Sequence, residues 1–118
     1  MTSPEAVAID ISPGDLEIVR QILASHVPQY EVWAFGSRAT RTAKKYSDLD
    51  LAVITDKPLG WSVSAALAEA FDQSDLPIKV DVVDWAATSA TFRQIIVKDK
   101  IVVQPKPARA VSSGAQEK

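Results

Sequence analysis

The sequence predicts an α/β fold in one small domain, with a small β-sheet of mixed or parallel pairing flanked by helices. Two observations point there. Segments with apolar residues at helical spacing alternate with short apolar runs of strand length, and a helical segment separates each strand from the next. The 118 residues fit a common domain size, and 47 % apolar with 24 % charged residues supplies both a core and a soluble surface.

Ser12-Pro13-Gly14-Asp15 starts a helix: Ser12 serves as N-cap, Pro13 suits the first turn, and Asp15 lies near the positive helix end. Leu16, Val19, Ile22 and Leu23 follow as an apolar stripe, and Pro28 ends it. Val32-Trp33-Ala34-Phe35 reads as a strand stopping at Gly36, with a short helical segment after Ser37. Leu49 to Ile54 is a second strand, broken by Lys57-Pro58-Leu59-Gly60. Trp61 to Phe71 is an alanine-rich helix, and Ile78 to Val83 a third strand, expected to be buried. Ser89 to Lys98 is helical with Phe92, Ile95 and Ile96 on one side, and Ile101 to Val103 makes a short last strand. The domain is therefore expected over residues 1–104. From 105 to 118, Pro, Ala, Ser, Gly and Lys dominate, which reads as a disordered tail.

A net charge of −2 argues against direct nucleic-acid binding by the chain as a whole. The charge is uneven, however. Gly36 to Ser47 holds Arg38, Arg41, Lys44 and Lys45 and no acid, which leaves the rest at −6. A basic island in an acidic chain suggests a localised anion site. With no cysteine there are no disulfides or thiolate metal sites. No leader pattern or membrane-length apolar run is present, so the expected location is the cytoplasm with no membrane contact.

A strand passing through Gly36-Ser37 into a helix start is a way of holding phosphate. The glycine admits close approach of a ligand, the first helical N–H groups point at an anion, and Ser37 adds a hydroxyl donor. By itself this pair also fits an ordinary turn beside a solvated basic loop. Asp48 and Asp50 then fall on one face of the second strand, with Leu49 and Leu51 on the other. Two carboxylates so placed repel unless a cation lies between them, and oxygen ligands suit Mg²⁺; the alternative is an exposed loop before the strand. On the third strand, Asp81 is flanked by valines, where an unpaired charge is costly. It fits either a metal site or a salt bridge to a lysine or arginine, while Asp84, at the strand end, reads as a capping or turn residue. Three carboxylates beside a phosphate-holding loop suit two-metal phosphoryl or nucleotidyl transfer.

Gly36-Ser37, ten residues, Asp48-Leu49-Asp50 and a later Asp81 together resemble the signature of polymerase-β-type nucleotidyltransferases, and in size the minimal nucleotidyltransferases among them. The resemblance covers Tyr30 to about Trp85. It implies that Gly36 and Ser37 bind the nucleotide phosphates; from the basic loop itself, Arg38 and Arg41 are expected to add charge to that phosphate site. It further implies that Asp48, Asp50 and Asp81 hold Mg²⁺, two ions in the active complex, with Asp81 as base. Family members often carry a glycine in the spacer where this chain has Thr40-Arg41, and a positive φ there would imply an altered turn.

The resemblance also implies a partner: a HEPN-domain toxin, inactivated when its antitoxin transfers AMP from ATP to a toxin tyrosine. Two other readings stand beside it, a non-catalytic antitoxin that blocks the toxin sterically and a transferase acting on a small molecule such as an aminoglycoside. Among remaining residues, Trp33 and Trp85 are expected in the core, with stacking on a base the lesser option, and Trp61 on the surface as a candidate for partner contact. Tyr46 is expected to face solvent or pack, with self-modification the lesser option. The lone His26 suits the end of a helix rather than a metal.

Overall fold

The computed structural model describes residues 9–107. Helix α1 (Pro13–His26) begins where the Ser12 hydroxyl accepts from the Asp15 N–H at 3.1 Å. Its apolar stripe buries Leu16, Val19 and Leu23. Strand β1 (Glu31–Phe35) leads through Gly36 into the one-turn helix α2 (Ser37–Thr40), and β2 (Leu49–Ile54) follows the basic loop. Helix α3 (Trp61–Asp72) connects β2 to β3 (Val80–Asp84). After a 3₁₀ turn at Trp85–Ala87 come α4 (Ala90–Asp99) and β4 (Ile101–Gln104).

The four strands lie in the order β3-β2-β1-β4. β1 is antiparallel to both its neighbours, and β2 runs parallel to β3, so the sheet is mixed. A parallel pair needs a crossover, and α3 supplies it. Strand alternation divides the apolar residues between two layers. Leu49, Leu51 and Val53 of β2 pack with Leu16, Val19 and Leu23 of α1 and with Leu67 and Phe71 of α3. On the opposite face, Trp33, Phe35 and Ala52 pack with Ile96 of α4, and Val83 and Trp85 close over them. Trp33 and Trp85 meet edge to face at 5.4 Å between centroids. Both tryptophans therefore serve the core as expected, while Trp61 is 84 % exposed.

The third strand departs from expectation. It starts at Val80 rather than Ile78 and lies at the sheet edge, with all five residues only partly buried. Its valines mark a strand but not its position, because strand order is set by contacts distant in sequence. Asp84 is a turn-holding residue and not a helix cap: it precedes the 3₁₀ turn without a side-chain capping bond. Its carboxylate accepts from the Thr55 hydroxyl at 2.5 Å and from the Leu59 N–H at 2.6 Å. The Thr55 hydroxyl in turn accepts from the Ala86 N–H at 3.0 Å. Together these bonds tie the ends of β2 and β3 to the loop that leads into α3. The tail expected from residue 105 lies outside the described residues beyond Pro107, as do Met1 to Ala8 of the expected domain.

Thr55 is 3 % exposed, so removing its hydroxyl would leave a carboxylate oxygen and an N–H without their partner. Thr55→Val is expected to lower stability by about 1–3 kcal/mol, read from the midpoint of urea unfolding. An unchanged midpoint would mean that water replaces the hydroxyl.

Candidate functional site

The chemistry-bearing residues gather at one end of the sheet, on the α4 side. β1 ends there and β2 begins there, because the two strands are antiparallel and Phe35 pairs with Asp50. Gly36 has φ 77° and ψ −160° and caps α2. A Cβ at Gly36 would fall on the Asp50 carboxylate, with Cγ at 3.3 Å and Oδ2 nearer still. Glycine is thus required twice, for its positive φ and for the space the carboxylate fills. The same contact shows that the Gly-Ser turn and the Asp-x-Asp pair form one site.

Asp81 joins it from the parallel neighbour. β2 and β3 pair with Asp50 opposite Asp81, so their side chains share a face. Asp48 lies one residue before β2, on the Asp50 side of the strand alternation. The Asp50 carboxyl is held above its ordinary value of 3.8, first by burial, then by the charges of Asp81 and Asp48. The charges of both Asp81 and Asp48 therefore reach Asp50. Lys79 approaches Asp81 at 3.8 Å, but the side chains are 72 % and 48 % exposed. Such a pair is worth about 0–1 kcal/mol. The salt-bridge alternative for Asp81 is present in form and weak in effect.

Among the described residues, no three acidic or histidine side chains already converge as a cage for a metal ion. The expected three-carboxylate site is not preassembled in this conformation. The donor set still fits Mg²⁺, which takes few carboxylates and completes its shell with water and phosphate oxygens. The mutual repulsion at Asp50 is what a bound cation would relieve.

The cations distribute differently from expectation. Arg38, expected to grip phosphate, is 8 % exposed and turned into the protein. Its guanidinium donates to the carbonyls of Asp10 at 2.8 Å, Ser47 at 3.0 Å, Lys45 at 3.2 Å and Lys44 at 3.4 Å. The loop before Asp48 is wrapped around this side chain, and the Asp10 N–H returns a bond to the Arg38 carbonyl at 2.9 Å. No sequence pattern signals this role, since all the acceptors are main-chain atoms.

Arg41 lies at φ 62°, ψ 35°, in the left-handed region, at the end of α2. The turn that glycine would favour is therefore kept and not altered, with the strain carried by an arginine. Ser37 opens α2 beside Gly36, and among the described residues its hydroxyl takes no partner. Lys44 and Lys45 are exposed. Tyr46 is 79 % exposed, its ring 5.4 Å from the Lys45 ammonium. His26 closes α1, as expected.

The family model described as polymerase beta, nucleotidyltransferase matches residues 17–107. The chain belongs to this nucleotidyltransferase family. It is 54 % identical over 98 residues to a probable protein adenylyltransferase MntA of Haemophilus influenzae, covering 83 % of this chain and 86 % of the relative. Among solved structures, a toxin–antitoxin crystallised with AMP-PNP matches with TM-score 0.58 at 26 % identity, over 75 % of this chain and 71 % of that one. A tri-AMPylated HEPN toxin of Shewanella oneidensis in complex with MNT antitoxin matches with TM-score 0.52 at 23 % identity, over 75 % and 68 % of the two chains, a likeness of fold. Among the described residues of this nucleotidyltransferase, no helix is long and apolar enough to cross a membrane.

The raised Asp50 value sets a stability prediction. In the metal-free protein the folded state holds this proton more tightly than the unfolded chain, so stability falls as pH rises from 3.8 through the raised value. The full penalty stands once the pH is above the raised value. Asp50→Asn is expected to raise Tm at pH 7 and to flatten this dependence. A lower Tm would mean that Asp50 is held by attraction rather than crowded by like charge.

Proposed function

We propose that the chain is a Mg²⁺-dependent protein adenylyltransferase that acts as an antitoxin, transferring AMP from ATP to a tyrosine of a HEPN-domain toxin. The observation that carries this reading is the convergence of Gly36, Asp50 and Asp81 in one site, in a chain 54 % identical to a probable protein adenylyltransferase. In this reading, the Gly36 backbone and the Ser37 hydroxyl hold the terminal phosphates, and Arg41 adds positive charge at the end of the turn. Arg38 shapes the loop and does not touch nucleotide. Asp48 and Asp50, with Asp81, hold Mg²⁺. The metal, when bound, supplies charge neutralisation for the triphosphate and the developing pyrophosphate.

Asp81 takes the proton from the tyrosine hydroxyl as its oxygen attacks the α-phosphorus. The bond to the bridging oxygen breaks, pyrophosphate leaves, and AMP remains as a phosphodiester on the tyrosine. A phenol suits this chemistry because its pKa, near 10, is low enough for a carboxylate to assist its deprotonation. The Asp81 side chain is 48 % exposed at the sheet edge, where an incoming side chain can reach it.

The deciding measurement is the intact mass of the cognate HEPN protein after incubation with this chain, Mg²⁺ and ATP. A gain of one or more AMP units on tyrosine is expected. An unmodified toxin held inactive in a tight complex would overturn the enzymatic reading in favour of steric blockade. Asp81→Asn should retain nucleotide binding and lose turnover. If it instead only destabilises the fold, its contact with Lys79 was its role.

Arg41 separates backbone from charge. Glycine accepts the same positive φ, so Arg41→Gly is expected to keep the turn while weakening ATP binding, by about 1.5–3 kcal/mol for one charged hydrogen bond. Equal ATP affinity by calorimetry would remove Arg41 from the phosphate site.

A further inference from the structure

Helix α3 is short of partners. Of its 12 residues only Leu67 and Phe71 are buried, and the run from Trp61 to Ala68 carries no charge. Trp61 is 84 % exposed and Val63 36 %, and Ala65, Ala66 and Ala68 also face outward. Beside this helix runs an open groove of about 850 Å³, between α3 and β3. Its wall is apolar through Phe71, Leu76, Ile78 and Val80, while Glu69, Asp72 and Asp81 give it an acidic rim against the single cation Lys79. β3 is the edge of the sheet and lines the groove along Val80, Asp81 and Val82.

We propose that this groove is where the acceptor protein docks, through an extended segment that is basic and partly apolar and that lies along β3. The proposal rests on the adenylyltransferase reading and names the surface that reading lacks. Charge selects the occupant. The basic island, suited to phosphate, lies on the loop from Gly36 to Ser47, whereas the groove is acidic, so nucleotide and protein approach surfaces of opposite sign. The edge strand offers main-chain N–H and C=O groups to which an added strand can bond. The alanines and Trp61 of α3 give apolar side chains a surface that is otherwise wet. Position completes the match. Asp81 borders the groove on the edge strand and shares the opposite face of that strand with Asp50, so a segment that pairs with the β3 edge passes directly beside the proposed base.

Two variants test the surface without touching the nucleotide site. Glu69→Lys combined with Asp72→Lys reverses the rim charge at exposed helix positions, and Ala68→Arg obstructs the groove from an exposed helix position. Each should leave Mg²⁺–ATP binding unchanged. The double variant should raise the KM for the HEPN partner by roughly tenfold, with a shallower salt dependence. In the wild type, adding the partner should protect amides of β3 and α3 from hydrogen exchange, whether or not AMP is transferred. Protection confined to other surfaces, or an unchanged partner KM in both variants, would overturn the docking site. Protection of β3 and α3 with no AMP transfer would keep the site and overturn the adenylyltransferase reading instead.

Discussion

The Asp50 carboxylate lies so near the main chain of Gly36 that no side chain fits between them, and the site takes its shape from that contact. It is built into the sheet register, because Phe35, the residue before the glycine, pairs with Asp50 across antiparallel strands. Phe35 is itself buried in the core layer with Trp33, Ala52 and Ile96. The Gly-Ser turn and the carboxylates thus inherit their relative position from hydrophobic packing rather than from loop contacts. An acid buried against a backbone and beside two other acids lowers stability when charged, and a cation bound there would reverse the sign of that local energy.

The sheet separates support from chemistry. One face is closed by α1 and α3 around Leu49, Leu51 and Val53, and the next residues along β2 point to the other face, where Asp50 stands. At β4 the Gln104 side chain donates to the carbonyls of Val27 and Tyr30, fastening the last strand to the connection between α1 and β1. The opposite edge, at β3, has no such cover among the described residues and is held through Asp84, Thr55 and Leu59 at its far end. One edge is fastened and the other is open, and the open one carries Asp81.

Much of this was legible in the sequence where local rules govern. Ser12 caps its helix, β2 runs from Leu49 to Ile54 as its apolar run indicates, and the pairing of Gly36-Ser37 with Asp48-Leu49-Asp50 is a matter of spacing along one chain. The failures lie where contacts are distant. Valines around Asp81 suggest burial, yet β3 is an edge because β4 returns to the other side of β1. Four cations in one loop suggest a uniform phosphate grip, yet Arg38 turns inward because carbonyls from Asp10 and from Lys44 to Ser47 surround it. Charge is visible in a sequence, but the direction a long side chain takes is not.

That inward arginine explains an arithmetic property of the motif. Every acceptor around the Arg38 guanidinium is a peptide carbonyl, present whatever side chain occupies positions 44, 45 and 47. The linker between the Gly-Ser turn and the first aspartate is therefore constrained more in length than in composition, apart from Arg38 itself, the positive φ at Arg41 and the Ser47 hydroxyl, which accepts from the Lys44 N–H at 2.9 Å. The linker must travel once around a single planar cation and arrive at β2 in register. An exchange of side chain at position 44 or 45 leaves the peg and its rope intact, whereas one residue added or removed would shift the rope past the peg and rotate Asp48 off the face it shares with Asp50.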